Sequence, residues 1–180
     1  MNLGPDDRNS RERAHQSVSV RVARRQDARP LAQFFLRAWK EAGPNALGFT
    51  GASDQAIKEI ASEEFLTKRI KSPHVRILVA REGRRVIGFA SLRYLEERLA
   101  ELTGIVVLKD VAGIGIGTRL LQKACLLALG QGFTRMVVKT EAFNLAAIGF
   151  YRKNGFNELR NTSEKVGRKR VPLKVLQKPL

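Results

Sequence analysis

The chain is short of several things, and each shortage removes a class of explanation. Its 180 residues include one cysteine, Cys125, so no internal disulfide can form. No apolar run approaches the roughly 20 residues that a membrane-spanning helix needs. The longest candidate, Leu120 to Leu129, is interrupted by Gln122 and Lys123. Met1 to Ser17 is polar and has no apolar segment of the kind a secretory leader carries. The expectation is therefore a cytoplasmic protein with no membrane association. Histidine is scarce and badly placed for base catalysis: His15 falls in the polar N-terminal stretch and His74 follows Pro73 at a strand start. No metal is expected. Acidic side chains number 17 against 33 Lys and Arg, a formal charge of +16. Such a field attracts anionic partners and disfavours polycations such as polyamines. Residues 151–180 hold nine basic side chains and two acidic ones. Aromatics make up only 7% of the chain, and past Tyr151 the basic stretch has only Phe156, so the case for RNA binding is weak.

What is present suits one domain, large enough to bury its own core. Residues 1–17 are expected to form a flexible tail and residues 18–180 the domain. Val18, Val20 and Val22 alternate as a first strand, and Asp27 can cap a first helix carrying Leu31, Phe34, Phe35, Ala38, Trp39 and Ala42. Gly43-Pro44 ends that helix. Ser53 can cap a second helix, whose apolar spacing runs from Ile57 to Ile70 and stops at Ser72-Pro73. Strands follow at Val75–Val79, Val86–Tyr94 and Leu102–Leu108, the last nearly all apolar and so expected at the sheet centre. A third helix over Gly117–Leu129, a strand at Met136–Thr140, a short helix over Asn144–Lys153 and a closing hairpin complete the order. This predicts an α/β (α+β) fold: a mixed sheet of about seven strands with helices on both faces. Cys125, among Leu121, Ala124 and Ala128 on the third helix, reads as a small buried hydrophobe.

Two segments carry chemistry. The first, Gly113-Ile114-Gly115-Ile116-Gly117-Thr118, lies where the Leu102–Leu108 strand meets a helix. The first amides of a helix lack partners and carry partial positive charge. Glycines there let an anion such as a diphosphate approach. Arg119 and Lys123 are placed to add charge. The loop is not the dinucleotide fingerprint, since Thr118 stands where a third glycine would be needed, and it lacks the Gly-Lys-Ser/Thr ending of a phosphate loop. The second segment is Asn144-Leu-Ala-Ala147-Ile148-Gly-Phe150-Tyr151-Arg-Lys153-Asn-Gly155-Phe156. Asn144 can cap its helix or reach into the gap beside the preceding strand. Tyr151, seven residues on, lies nearly two turns along the same face, where a phenol can donate a proton to a departing thiolate.

The pair resembles the two core motifs of the GCN5-related N-acetyltransferase (GNAT) family, most strongly from Glu101 to Phe156. That resemblance implies a single-domain GNAT-like fold and transfer of an acetyl group from acetyl-CoA to a primary amine, on a small molecule or on a peptide or protein. It implies that the backbone of Ile105, Val106 and Val107 holds the pantetheine arm and the acetyl carbonyl. It also implies that the amides of Gly113, Ile114, Gly115, Ile116, Gly117 and Thr118 cradle the pyrophosphate, that Asn144 contacts the pantetheine and that Tyr151 is the general acid. Ala112 departs from the Arg or Gln usual in the family. Lys139 stands where some protein N-terminal acetyltransferases carry a glutamate. An attacking amine must lose a proton, and Glu101 is the first candidate base, Glu141 the second. A non-catalytic CoA-binding or basic RNA- or ribosome-binding module on the same fold is the alternative. The acceptor and the oligomeric state, a dimer included, are left open by the sequence.

Overall fold

A computed structural model describes residues 18–42, 54–166 and 169–180. Seven strands form one sheet: β1 (Val18–Val22), β2 (Val75–Glu82), β3 (Arg85–Tyr94), β4 (Leu99–Val107), β5 (Arg135–Glu141), β6 (Asn157–Val166) and β7 (Lys169–Pro179). Five helices accompany them: α1 (Ala28–Ala42), α2 (Asp54–Ile60), α3 (Glu63–Lys71), α4 (Ile116–Gly130) and α5 (Leu145–Lys153). The strand order is β1-β2-β3-β4-β5-β7-β6, with β4 at the centre as its apolar run predicts. Only β4 and β5 run parallel among the described strands, so the sheet is mixed.

The two faces are covered by different helices. Phe35 of α1 packs edge-on against Phe89 of β3, with ring centroids 4.7 Å apart. Gly88, the neighbouring residue, points the other way. A Cβ built there would lie 3.0 Å from Leu120 Cδ1 and 3.2 Å from Ile116 Cγ2. The missing side chain thus lets α4 settle directly on the sheet and fixes its first turn.

Two local readings change. Asp27 is not a simple helix cap: it is fully buried, and its carboxylate accepts from the Arg24 amide, Arg21 and Arg81. Burial alone would push this carboxyl up, but Arg21, the Arg24 amide and Arg81 together hold it below the usual range. The expected second helix is two. Ser62 breaks it, its Oγ accepting from Phe65 N at 3.2 Å to cap α3, with Glu63 and Glu64 in the first turn. The β3–β4 turn places Glu97 and Arg98 at φ of 56° and 57°, left-handed backbone closed by Leu99 N donating to Glu96 O at 3.2 Å. The Gly43–Ala52 loop and the Ser53 cap fall outside the described residues.

Gly88→Val should destabilise the protein by about 1–3 kcal/mol through overpacking beneath α4. Urea denaturation of the variant against the parent protein measures this. An unchanged midpoint would show that the contact between α4 and the sheet is loose.

Candidate active site

The site begins where β4 and β5 part. Their ladder has four pairs, from Leu99 opposite Arg135 to Leu102 opposite Val138. Thr103 is then an extra residue: Leu92 faces Leu102 but Ser91 faces Gly104. Such a bulge bends a strand and ends pairing. From there β4 follows β3 to Val107, while β5 follows β7 to Glu141. A cavity of about 470 Å³ lies against the diverging strands, lined by Thr103 to Val106, Lys139 to Glu141, and Asn144, Ala147 and Tyr151.

The peptide groups on this edge can be assigned. Leu108 N donates to Ile87 O at 3.1 Å, and antiparallel strands alternate bonded and non-bonded pairs. Val106 and Gly104 therefore turn their peptide groups to β3. Ile105 and Val107 turn theirs to the opening. Of the three residues read as a backbone contact surface, two present N–H and C=O to the gap, and Val106 lines the cavity without doing so.

At the end of β4 a 3-10 turn (Lys109–Val111) leads into the glycine loop. Gly113 and Gly115 both have φ of 83°, a conformation that side chains disfavour. Gly115 caps α4 without a side-chain hydrogen bond, and no acid stands in the first turn. The amides of Ile116, Gly117 and Thr118 therefore have no acceptor within the helix, and the next, Arg119 N, bonds Gly115 O at 3.0 Å. Gly117 serves helix packing too, since a Cβ there would sit 3.4 Å from the Phe150 ring. Asp110 would oppose an anion beside this loop, but Arg85 and Arg37 pair with it at 2.5 and 3.2 Å and hold it below the ordinary carboxylate range. The charge expected from Arg119 goes elsewhere. Its Nη2 donates to Val18 O at 2.7 Å, tying α4 to β1, and Lys123 is exposed.

Asn144 caps α5, its Oδ1 accepting from Ala147 N at 3.1 Å, and it lines the cavity as well. Tyr151 is 5% exposed and faces the same space. Burial, with the Glu141 carboxylate adding to it, pushes this phenol well above the ordinary tyrosine range. It stays protonated and can donate. The other tyrosine, Tyr94, stacks on Phe133 at 4.6 Å and is not part of the cavity wall. Cys125 is half-buried with Sγ 3.9 Å from Met136 Sδ, and burial raises its thiol.

Both candidate bases line the cavity, in different company. Glu101 is buried, and its Oε2 accepts from two N–H groups of Arg93, one of them Nε at 3.0 Å. Lys139 Nζ lies 4.0 Å from its Oε1 and 2.7 Å from Glu164. Glu141 is also buried, and close enough to Tyr151 for its charge to act on the phenol. The Arg93–Glu101–Lys139–Glu164 chain had no signature in the sequence. It arises from the pairing of Arg93 with Glu101 across β3 and β4 and from Lys139 on β5.

The open edge of β4 runs to the uncapped start of α4, where a Cβ on Gly117 would lie 3.9 Å from Val107 Cγ2. The buried phenol of Tyr151 on the following helix faces the cavity beside that edge. Residues 47–156, more than half of the chain, match the Acetyltransferase (GNAT) family, and the chain belongs to it. The protein is an acetyltransferase. It is 28% identical over 130 residues to an uncharacterised N-acetyltransferase of Mycobacterium tuberculosis, covering 72% of this chain and 83% of that one. The PaiA N-acetyltransferase of Thermoplasma acidophilum, solved in complex with coenzyme A, shares the fold at a TM-score of 0.71 and 22% identity, covering 91% of this chain and 99% of that one. A ribosomal-protein-alanine N-acetyltransferase of Brucella melitensis matches at a TM-score of 0.68 and 26% identity over 90% and 99% of the two chains.

The raised Tyr151 phenol makes a stability prediction. An unfolded tyrosine ionises near pH 10, whereas the buried one resists, so folding stability is intact below that pH and is lost as pH rises above it. Tyr151→Phe removes this loss. The difference in Tm between variant and parent should shift in favour of the variant between pH 8 and about pH 11. A difference that stays constant would mean the phenol ionises freely.

Proposed function

We propose that the protein moves an acetyl group from acetyl-CoA to a primary amine by direct attack of that amine, with residues 18–180 acting as one catalytic domain. The observation that carries this reading is the convergence on one cavity of an unpaired β4 edge, a buried phenol and a buried carboxylate. The uncapped start of α4 stands at the end of β4, where a diphosphate would be held by the amides of Gly113 to Thr118. When bound, acetyl-CoA supplies an acyl thioester. The peptide groups of Ile105 and Val107 fit its amide-bearing arm, and an N–H among them can polarise the thioester carbonyl. Asn144 adds a side-chain amide on the same wall. Ala112 contributes no charge, so the diphosphate depends on backbone donors.

Bond-making and bond-breaking balance without a further reagent. A C–N bond forms as the C–S bond breaks, one proton leaves the amine, and the sulfur departs as a thiol. Tyr151 is the general acid: its phenol gives the departing sulfur a proton and regains one from the base, which takes the proton of the amine. Of the two acids, Glu141 is assigned as the base because it shares the buried end of the cavity with Tyr151. Glu101, its Oε2 engaged by Arg93, orients the wall of the acceptor side. The charge of +16 favours an acceptor or partner with anionic character over a polyamine. A cytoplasmic setting remains part of this reading.

Acetyl-CoA should raise the Tm, and primary amines should then release free thiol. Tyr151→Phe should lower kcat by about 100-fold, the scale of a lost general acid, with the acetyl-CoA Kd changing much less. Glu141→Gln should lower kcat/KM most at neutral pH and progressively less as the amine deprotonates. Unchanged turnover in either variant removes that residue from its role. No Tm shift with acetyl-CoA overturns the whole reading.

A further inference from the structure

One wall of the cavity, built by α1, α3, β2 and β3, holds groups that acetyl transfer itself does not use. Ser91 on β3 is 4% exposed, and its Oγ has no hydrogen-bond partner among the described residues. It lines the cavity opposite Ile77 in register. An unpartnered buried hydroxyl costs free energy, so its place in a cavity wall marks where a ligand atom belongs. Arg69, in the last turn of α3, lines the same space. Its guanidinium makes no hydrogen bond or ion pair among the described residues. The other two cations lining the cavity are taken: Arg93 by Glu101, and Lys139 by Glu164 and Glu101. Among the described residues, Arg69 is therefore the cation lining the cavity that no acid engages. Beside these two polar groups the wall is apolar, with Phe35, Phe65, Ile77 and Phe89.

A guanidinium only donates and a hydroxyl can donate, so a wall that carries both suits an anionic oxygen, above all a planar carboxylate. Resting on the acetyl-transfer reading above, we propose that the acceptor is a free amino acid with an apolar side chain. Arg69 and Ser91 hold its carboxylate, the phenylalanines take its side chain and its amine faces Glu141. A residue at the N-terminus of a peptide would bring a neutral amide to that place and leave Arg69 uncompensated. The positive field of the chain acts in the same direction, drawing in an acceptor that bears a carboxylate.

Free-thiol release with acetyl-CoA should be compared for L-phenylalanine and L-leucine against 2-phenylethylamine, L-phenylalaninamide and a short acidic peptide. The two amino acids should exceed the decarboxylated amine and the amide in kcat/KM by about tenfold or more, the discrimination one charge-assisted contact supports. Arg69→Gln should collapse that ratio toward unity through KM, and Ser91→Ala should reduce it in the same sense. L-phenylalanine should also add to the Tm shift of the CoA-bound parent protein, and less so in Arg69→Gln. Equal rates for phenylalanine and phenylethylamine, turnover of the peptide in preference, or a ratio unmoved by Arg69→Gln would each overturn the proposal. A Tm shift with acetyl-CoA but no turnover of any free amino acid also overturns it, while leaving the cofactor site standing. Absence of the acetyl-CoA shift strikes the acetyl-transfer reading instead.

Discussion

β4 and β5 share four residue pairs and then diverge, and the peptide groups freed by that divergence are the resource from which the site is built. Both ends of the arrangement are enforced. At the closed end, Thr134 N and Arg135 N reach Arg98 O at 3.0 and 3.4 Å, so the β3–β4 turn grips the start of β5. Leu180 N bonds Thr134 O at 2.9 Å, and Tyr94 stacks on Phe133 close by. At the open end, the extra residue Thr103 bends β4 off its course. Glu97 and Arg98 adopt left-handed backbone at this turn without being glycine. Their carbonyls hold β5 in place, which gives a physical reason for tolerating that strain.

The second theme is the contrast between global and local charge. The chain is strongly basic, yet the charges near the site are nearly all matched. Asp110, next to the loop of bare amides, is covered by two arginines. Glu101 and Glu164 absorb Arg93 and Lys139. Arg119, adjacent to the loop in sequence, is directed to Val18 O. With these pairs closed, the reading proposed above leaves an anion to the backbone amides at the helix start and to Arg69 in the cavity wall. In that reading net charge acts on approach to the protein, whereas individual donors decide what is held.

Much of this was legible in the sequence because the relevant signals are local. Gly113 and Gly115 need positive φ, Asn144 caps a helix and Gly155 ends it at φ of 84°; each is a property of a few consecutive residues. The valine alternation of β1 and the apolar run of β4 gave strand and centrality by the same logic. What could not be read was tertiary. The apolar spacing across Ile60, Ala61 and Phe65 hid the cap at Ser62, although Ser-Glu-Glu is itself a helix-start signal. Asp27 looked like a cap because its two arginine partners are not both near in sequence: Arg81 arrives from β2. Ser91 is one polar residue in an apolar strand, and only the cavity distinguishes it from a satisfied hydroxyl. Arg69 reads as the solvated end of a helix until the wall opposite is known. The bulge at Thr103 left no compositional trace.

The short ladder at the centre has a mechanical consequence. β1 to β4 form an antiparallel meander whose β2–β3 and β3–β4 contacts are local in sequence, and β5 to β7 form a second antiparallel unit. The seam between them crosses the whole of α4 in sequence, so closing that loop is an entropic step the two units must take together. The protein is in effect two small sheets zipped over a few residues. A molecule lying along the unzipped length bridges both, so ligand occupancy and cohesion of the halves are tied to the same seam.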